Sequence, residues 1–329
     1  MQVKGTMLKS IAVAALSLVL WTHLPVRAQQ FYWVANTNET IMITGYNGPG
    51  AVVVPSTIAN LPVTSIGSSA FEGNASITSV MTGTNVTSIG NRAFYRCGSL
   101  TNVIFGDQTT NIGATAFCTS GLTSVSIPDT VTAVGQEAFE GCHTLGSVTI
   151  GNGVVSISDW AFNGSGVTNV TFGKRVAYIG QMAFYQCGLS SVVFPSSLNS
   201  IGDQAFQGCG LLTAFYFEGD APALGLSALD SEASTVYYLP GRTGFGLVFG
   251  NRAALLWNPR MQVGGVQALQ FVSTVTGTPG IPILIEACTN VLNATWTPMQ
   301  TCTLTNGSIC FSDARWTNYP SRLYRIRSP

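Results

Sequence analysis

Few side chains in this chain could carry out chemistry. Histidine occurs twice, and His23 falls in the leading apolar segment, which leaves His143 as the imidazole for a general base. It follows Cys142 in the variable part of a loop, with no nucleophile elbow anywhere to pair with it, so it reads as an exposed loop histidine. Cys97, Cys142, Cys187 and Cys209 each stand three residues after a phenylalanine. A cysteine repeated at one core position is a small hydrophobe rather than a ligand set, and no Cys-x-x-Cys metal spacing exists. Cys187 and Cys209 would lie within disulfide reach on adjacent coils, but an apolar ladder of free thiols is the favoured reading. Whether Cys302 and Cys310 can bond depends on the loop at Asn306-Gly307: three residues would put them opposite, two on opposite faces. Cys288 has no evident partner. The carboxylate pairs Glu137 with Glu140 and Asp230 with Glu232 sit in turn-like segments, where solvated charges are expected rather than a glycosidase pair. Gly244-Phe245-Gly246 with Gly250 lacks the spacing and the βαβ frame of a nucleotide loop. Neither enzyme, cofactor nor metal site is expected.

The elements that would hold any site come from a repeat. Alanine-phenylalanine returns at Phe71, Phe94, Phe117, Phe139, Phe162, Phe184 and Phe206, in steps of 23, 23, 22, 23, 22 and 22 residues. A fixed period in the twenties is the signature of a solenoid, in which one coil cannot bury its own hydrophobic face and stacking supplies the core. Within a coil, Leu122 to Pro128 alternates, with Val125 and Ile127 facing in and Ser124 and Ser126 out. Pro128 ends the strand, Gly135 and its counterparts suit a tight bend, and Ala138-Phe139 is expected in a short helical turn. Inward positions recur at Val80, Val103, Val125, Val148, Val170, Val192 and Phe215. Parallel coils at roughly 4.8 Å give a body on the order of 40 Å long.

Composition bounds the rest. Lys4 and Lys9 precede an apolar run too short to span a bilayer, and Val26-Arg27-Ala28 offers a cleavage site, so residues 1–28 read as a signal peptide cut after Ala28. No later stretch is long enough to cross a membrane. Removing Lys4, Lys9 and Arg27 from 14 basic residues leaves 11 against 14 acidic ones, a net charge of −3 with no basic footprint for nucleic acid. Residues 29–50 read as an N-terminal cap, 51–217 as the solenoid, 218–260 as a final coil and cap, and 261–329 as a separate antiparallel β domain of five or six strands. Asn306-Gly307 is the hairpin signal in that last part.

The run from Val86 to Val103, Val-Thr-Ser-Ile-Gly-x-x-Ala-Phe-x-x-Cys-x-x-Leu-Thr-x-Val, resembles the BspA-like, or Treponema-type, class of bacterial leucine-rich repeats. The resemblance covers roughly residues 50–217 in seven tandem copies. Departures are local: Ser158, Trp160 and Ser165 in the fifth copy, and Cys118 in the third. The class implies a mainly β fold, a capped leucine-rich-repeat β-solenoid, exported, with members that sit on cell surfaces and bind other proteins. The tail, with Glu286-Ala287-Cys288-Thr289-Asn290, Trp296, Phe311-Ser312-Asp313, Trp316-Thr317-Asn318-Tyr319-Pro320 and Tyr324-Arg325-Ile326-Arg327-Ser328-Pro329, looks like a C-terminal module of exported proteins from environmental bacteria such as verrucomicrobia.

Recognition would then fall to the outward strand positions: Ser79 and Met81, Asn102 and Ile104, Ser124 and Ser126, Ser147 and Thr149, Asn169 and Thr171, Ser191 and Val193, Ala214 and Tyr216. The stripe is neutral and mostly hydroxylated, with sparse aromatic or arginine anchors. The expected partner is an extracellular or surface protein. The rival expectation is a polysaccharide or envelope component held by the tail, with Trp296, Trp316, Tyr319 and Tyr324 either stacking on sugar or filling a core.

Overall fold

The computed structural model describes residues 31–327 apart from Pro49, Glu232, 268–269, 291–294 and Pro320; the signal peptide expected over residues 1–28 lies outside the described residues. Strands dominate, and the single helical turn among the described residues is a 3₁₀ turn at Trp316–Asn318. No helix there is long and apolar enough to cross a membrane.

The repeats stack as coils with two strand-bearing sides. One side is an 11-stranded sheet, mainly two-residue strands such as Ser88–Ile89, Asn111–Ile112 and Ala133–Val134, paired in parallel from coil to coil. The other carries the longer alternating strands in three groups, with breaks between Asn102–Ile104 and Ser124–Ser126 and between Asn169–Thr171 and Ser191–Phe194. The register joins like with like: Val80 to Val103, Val125 to Val148 to Val170, and Val192 to Phe215 to Val236. All of these are buried, as the alternation predicts.

Seven phenylalanines form the spine. Consecutive ring centroids from Phe71 to Phe206 lie 4.7, 5.0, 5.3, 5.2, 5.1 and 5.3 Å apart, with planes within 17° of parallel. That spacing exceeds ring contact thickness, so the rings are offset, the favoured arrangement for stacked aromatics. The alanine before each ring is fully enclosed from Ala93 to Ala205, leaving room for the next coil.

The Ala-Phe segment is a ridge of turns rather than the helical turn expected from sequence. Its N–H groups alternate: Ala93, Tyr95 and Cys97 donate within their own coil, whereas Arg92, Phe94 and Arg96 donate to Ala114, Ala116 and Cys118 of the next. A helix would spend every N–H internally, so this ridge cross-links the stack. Residues two before each phenylalanine, among them Arg92, Thr115, Glu137 and Met182, take φ between 51° and 58°. The repeat glycine is needed for a different reason from the expected bend. At Gly90 a Cβ would come within 2.6 Å of Ser68 N, and at Gly113 within 2.7 Å of Asn91 N. Coil backbones approach too closely there for a side chain.

Antiparallel strands Phe31–Ala35 and Ile41–Tyr46 close the start of the larger sheet. At the other end Arg252–Leu256 adds in parallel to Thr235–Tyr238 and takes Val248–Phe249 antiparallel. The tail makes two three-stranded antiparallel sheets. One orders Arg260–Gln267, Gln270–Thr276 and Ser308–Asp313; the other orders Thr297–Thr303, Pro282–Cys288 and Leu323–Arg327.

Candidate binding surface

Along the longer strands, Asn102, Ser124, Ser126, Ser147, Thr149, Asn169 and Thr171 are exposed, while Ser79 and Ser191 are half-buried. At the N-terminal end three apolar side chains stand in register across adjacent coils: Val53 opposite Met81, and Met81 opposite Ile104. Their exposures are 50%, 45% and 48%. The stripe therefore begins apolar and becomes a neutral surface of hydroxyls and amides.

Its C-terminal end departs from the expected open face. Ala214 and Tyr216 are 5% exposed and Tyr237 is 7% exposed. They share a core with Val275, Ile281, Ile283, Ile285, Leu304 and Phe311 of the tail, against which Val193, Leu255 and Trp257 also pack. Trp257 Nε1 donates to Pro282 O at 2.9 Å, fixing the junction. Residues that sequence reading places on a free face thus hold the tail, because an outward tyrosine on a solenoid strand is covered once another apolar layer reaches it. Tyr237, Trp257, Glu218 and Arg327 were missed as members of this region. Extending the outward alternation by one coil past Tyr216 reaches Tyr237, but the contact from Arg327 carries no local signal.

At this seam lies a pocket of about 240 Å³ between Tyr216, Tyr237, Trp257 and the tail strand end at Ile326 and Arg327. Beside it, where the strand ladder breaks, a cleft of about 540 Å³ is lined by Asn169, Thr171, Phe172 and Lys174 on one coil and Ser191 and Val193 on the next. Burial pushes the Tyr216 hydroxyl above the ordinary tyrosine range, with the neighbouring Tyr237 adding to the shift.

The tail's own aromatics are engaged structurally. Tyr324 stacks on Phe271 at 4.5 Å and donates to Asp313 Oδ2 at 2.9 Å. Arg325 lies 4.3 Å over Trp296, and Arg322 lies 4.2 Å over Tyr319. Two buried acids organise this region. Glu286 accepts from Arg325 at 2.7 Å and pairs with Arg327 at 3.0 Å, and Asp313 pairs with Arg322 at 2.7 Å. Burial alone would raise the Glu286 carboxyl, but hydrogen bonds from the two arginines outweigh it and hold it below the ordinary value.

The Asn306-Gly307 turn does not make the expected hairpin. Thr297–Thr303 pairs with Pro282–Cys288, whereas Ser308–Asp313 pairs with Gln270–Thr276, so the turn carries the chain from one sheet to the other. Leu304, fully enclosed, is the pivot. Cys302 faces Ile283 across one sheet and Cys310 faces Thr274 across the other, and both are free thiols.

In the solenoid, the thiols of Cys97, Cys142, Cys187 and Cys209 donate to the carbonyls of Phe71, Phe117, Phe162 and Phe184 at 3.0 to 3.2 Å. Burial pushes Cys97 and Cys209 up to about 12 and Cys187 up to about 11, which makes them poor nucleophiles. His143 is exposed. Among the described residues no three His, Cys, Asp or Glu side chains converge to hold a metal ion.

Sequence comparison matches residues 55–167 and 133–235 to the BspA type leucine-rich repeat region (6 copies), more than half of the chain. No curated protein matches. Among solved structures, a Treponema pallidum leucine-rich repeat protein is 28% identical, covering 61% of this chain and 85% of its own, with a TM-score of 0.48. A leucine-rich cell surface protein of Faecalibacterium prausnitzii is 22% identical over 63% of this chain and 74% of its own, with a TM-score of 0.39. A Bacteroides ovatus leucine-rich repeat protein is 21% identical over 64% and 70%, with a TM-score of 0.37.

Proposed function

The chain belongs to the BspA-type leucine-rich repeat family, and from that premise we propose an exported, non-catalytic protein that binds another protein through its longer strand face. The observation that carries this reading is the uncovered stripe from Val53 to Thr171. There, in-register Val53, Met81 and Ile104 lead into an uncharged run of hydroxyl and amide side chains. An apolar patch bordered by polar groups that can donate and accept suits a protein partner, with the patch supplying burial and the rim orientation. Export after cleavage at Ala28 belongs to the same proposal, as do a cell-surface location and the division of the chain near residue 260.

The test is a screen of the full mature chain against extracellular-matrix and envelope proteins, repeated with Met81→Glu, Ile104→Glu and Ser126→Arg. A saturable partner should lose about thirtyfold or more in affinity for the apolar-to-acid variants, the loss expected at a hot spot. A partner whose affinity none of the three alters would place recognition elsewhere. Turnover of any substrate that His143→Ala abolishes would overturn the non-catalytic part.

A further inference from the structure

The seam pocket has features that tail docking does not account for. Tyr216 is 95% buried, yet no described residue hydrogen-bonds its hydroxyl. Tyr216 Oη is also not among the sealed, unpaired side-chain atoms, so it keeps some accessible surface, and its residue lines the pocket. Glu218 lies at the shared edge of pocket and cleft, and its carboxylate makes no ion pair or hydrogen bond with any described residue. Tyr216 and Tyr237 stack on each other at 5.0 Å and 19°, and the half-buried Trp257 indole, edge-on to Tyr216 at 6.4 Å, adds partly open aromatic surface to the same space. The adjoining cleft continues with Asn169, Thr171 and Ser191, groups that both donate and accept.

We propose that this seam is a saccharide-binding site, taking one pyranose ring of a neutral oligosaccharide in the aromatic pocket and the following rings along the cleft towards Thr171. A pyranose presents a C–H face to an aromatic ring and hydroxyls around its rim, and this lining supplies both. The apolar alternative, a peptide side chain inserted among Tyr216, Tyr237 and Trp257, would cover the Tyr216 hydroxyl without giving it a partner, a loss that buried polar groups make costly. The site spans two parts of the molecule, since the solenoid provides the aromatics and Glu218 while the tail strand provides Ile326 and Arg327.

The experiment is an array of gluco-, N-acetylgluco- and manno-oligosaccharides probed with the full mature chain, followed by titration calorimetry of each hit. The wild-type chain should bind at least one of these saturably. Tyr216→Phe, which removes only the hydroxyl, should weaken it about fivefold, and Glu218→Gln about tenfold, the loss of one neutral and one charged hydrogen bond. Thr132→Ala, an exposed change on another part of a coil, should leave affinity unaltered. Unchanged thermal unfolding of Tyr216→Phe separates a lost contact from a lost fold. Three results would overturn the proposal: no oligosaccharide bound at millimolar concentration, a hit equally tight in both site variants, or an apolar peptide that Tyr216→Phe binds more tightly than wild type.

Discussion

The two ends of one strand face use similar residues and end in opposite states. At the N-terminal end Val53, Met81 and Ile104 are about half exposed, while at the C-terminal end Tyr216 and Tyr237 occupy the same outward repeat position and are buried under the tail. The repeat assigns each side chain a direction, in or out. Burial on the outward side is decided by what arrives there, and among the described residues only the C-terminal end receives a partner from its own chain. The middle, Ser124 to Thr171, carries no large apolar group and remains open.

The largest effect should come from the spine common to both ends. Phe139 is fully enclosed and stacked at 5.3 and 5.2 Å on its two neighbours, so Phe139→Ala should cost about 4 kcal/mol, read as a lowered urea midpoint. Because each coil contacts only its neighbours, loss of a single sharp transition should accompany it. Next, the comparison itself can be broken with one pair. Tyr216→Ala should destabilise by about 3 kcal/mol and loosen hydrogen-exchange protection across Pro282–Cys288, while Met81→Ala at the equivalent position should change stability by about 0.5 kcal/mol at most. Equal costs would mean that the tail adds nothing at Tyr216.

Acid should separate the regions further. The buried carboxylates among the described residues, Glu286 and Asp313, both lie in the tail. The Glu286 carboxyl is held below its ordinary value of 4.5 in the folded state. Its contribution is therefore complete above that pH and is lost as pH falls through the lower folded value. Near-ultraviolet dichroism should report the tail's aromatics melting at a higher pH than the solenoid's far-ultraviolet signal. Glu286→Gln should cost about 2 kcal/mol at neutral pH and flatten that dependence. The smallest effect is kinetic: exposed Cys310 should react with a disulfide reagent at once, and Cys97, Cys187 and Cys209 only after unfolding. Fast labelling of all would show that the coils open locally.

Much of this was legible in the residues. The 22–23-residue period located the phenylalanine spine, and the alternation around Val125 and Val148 told inside from outside, because both are local consequences of coil geometry. Two local details were misread. Arg92 and Met182 have no glycine to advertise a left-handed conformation, so the ridge between coils looked like helix. Asn306-Gly307 has the chemistry of a hairpin turn, and nothing near it reveals that the next strand joins a different sheet.

By itself, then, the sequence determined the array: its period, its inward ladder and its apolar thiols, all properties repeated within some two dozen residues. Only the tertiary structure decided where the array stops being surface. Tyr216 shares a core with Phe311 and Ile283 across many tens of residues, and Trp257 reaches Pro282 O through one hydrogen bond. Such contacts depend on which sheet each tail strand enters and on the path of the chain around Leu304, and no periodicity encodes either. The seam, with its aromatic pocket and unpartnered hydroxyl, exists only because those two parts meet.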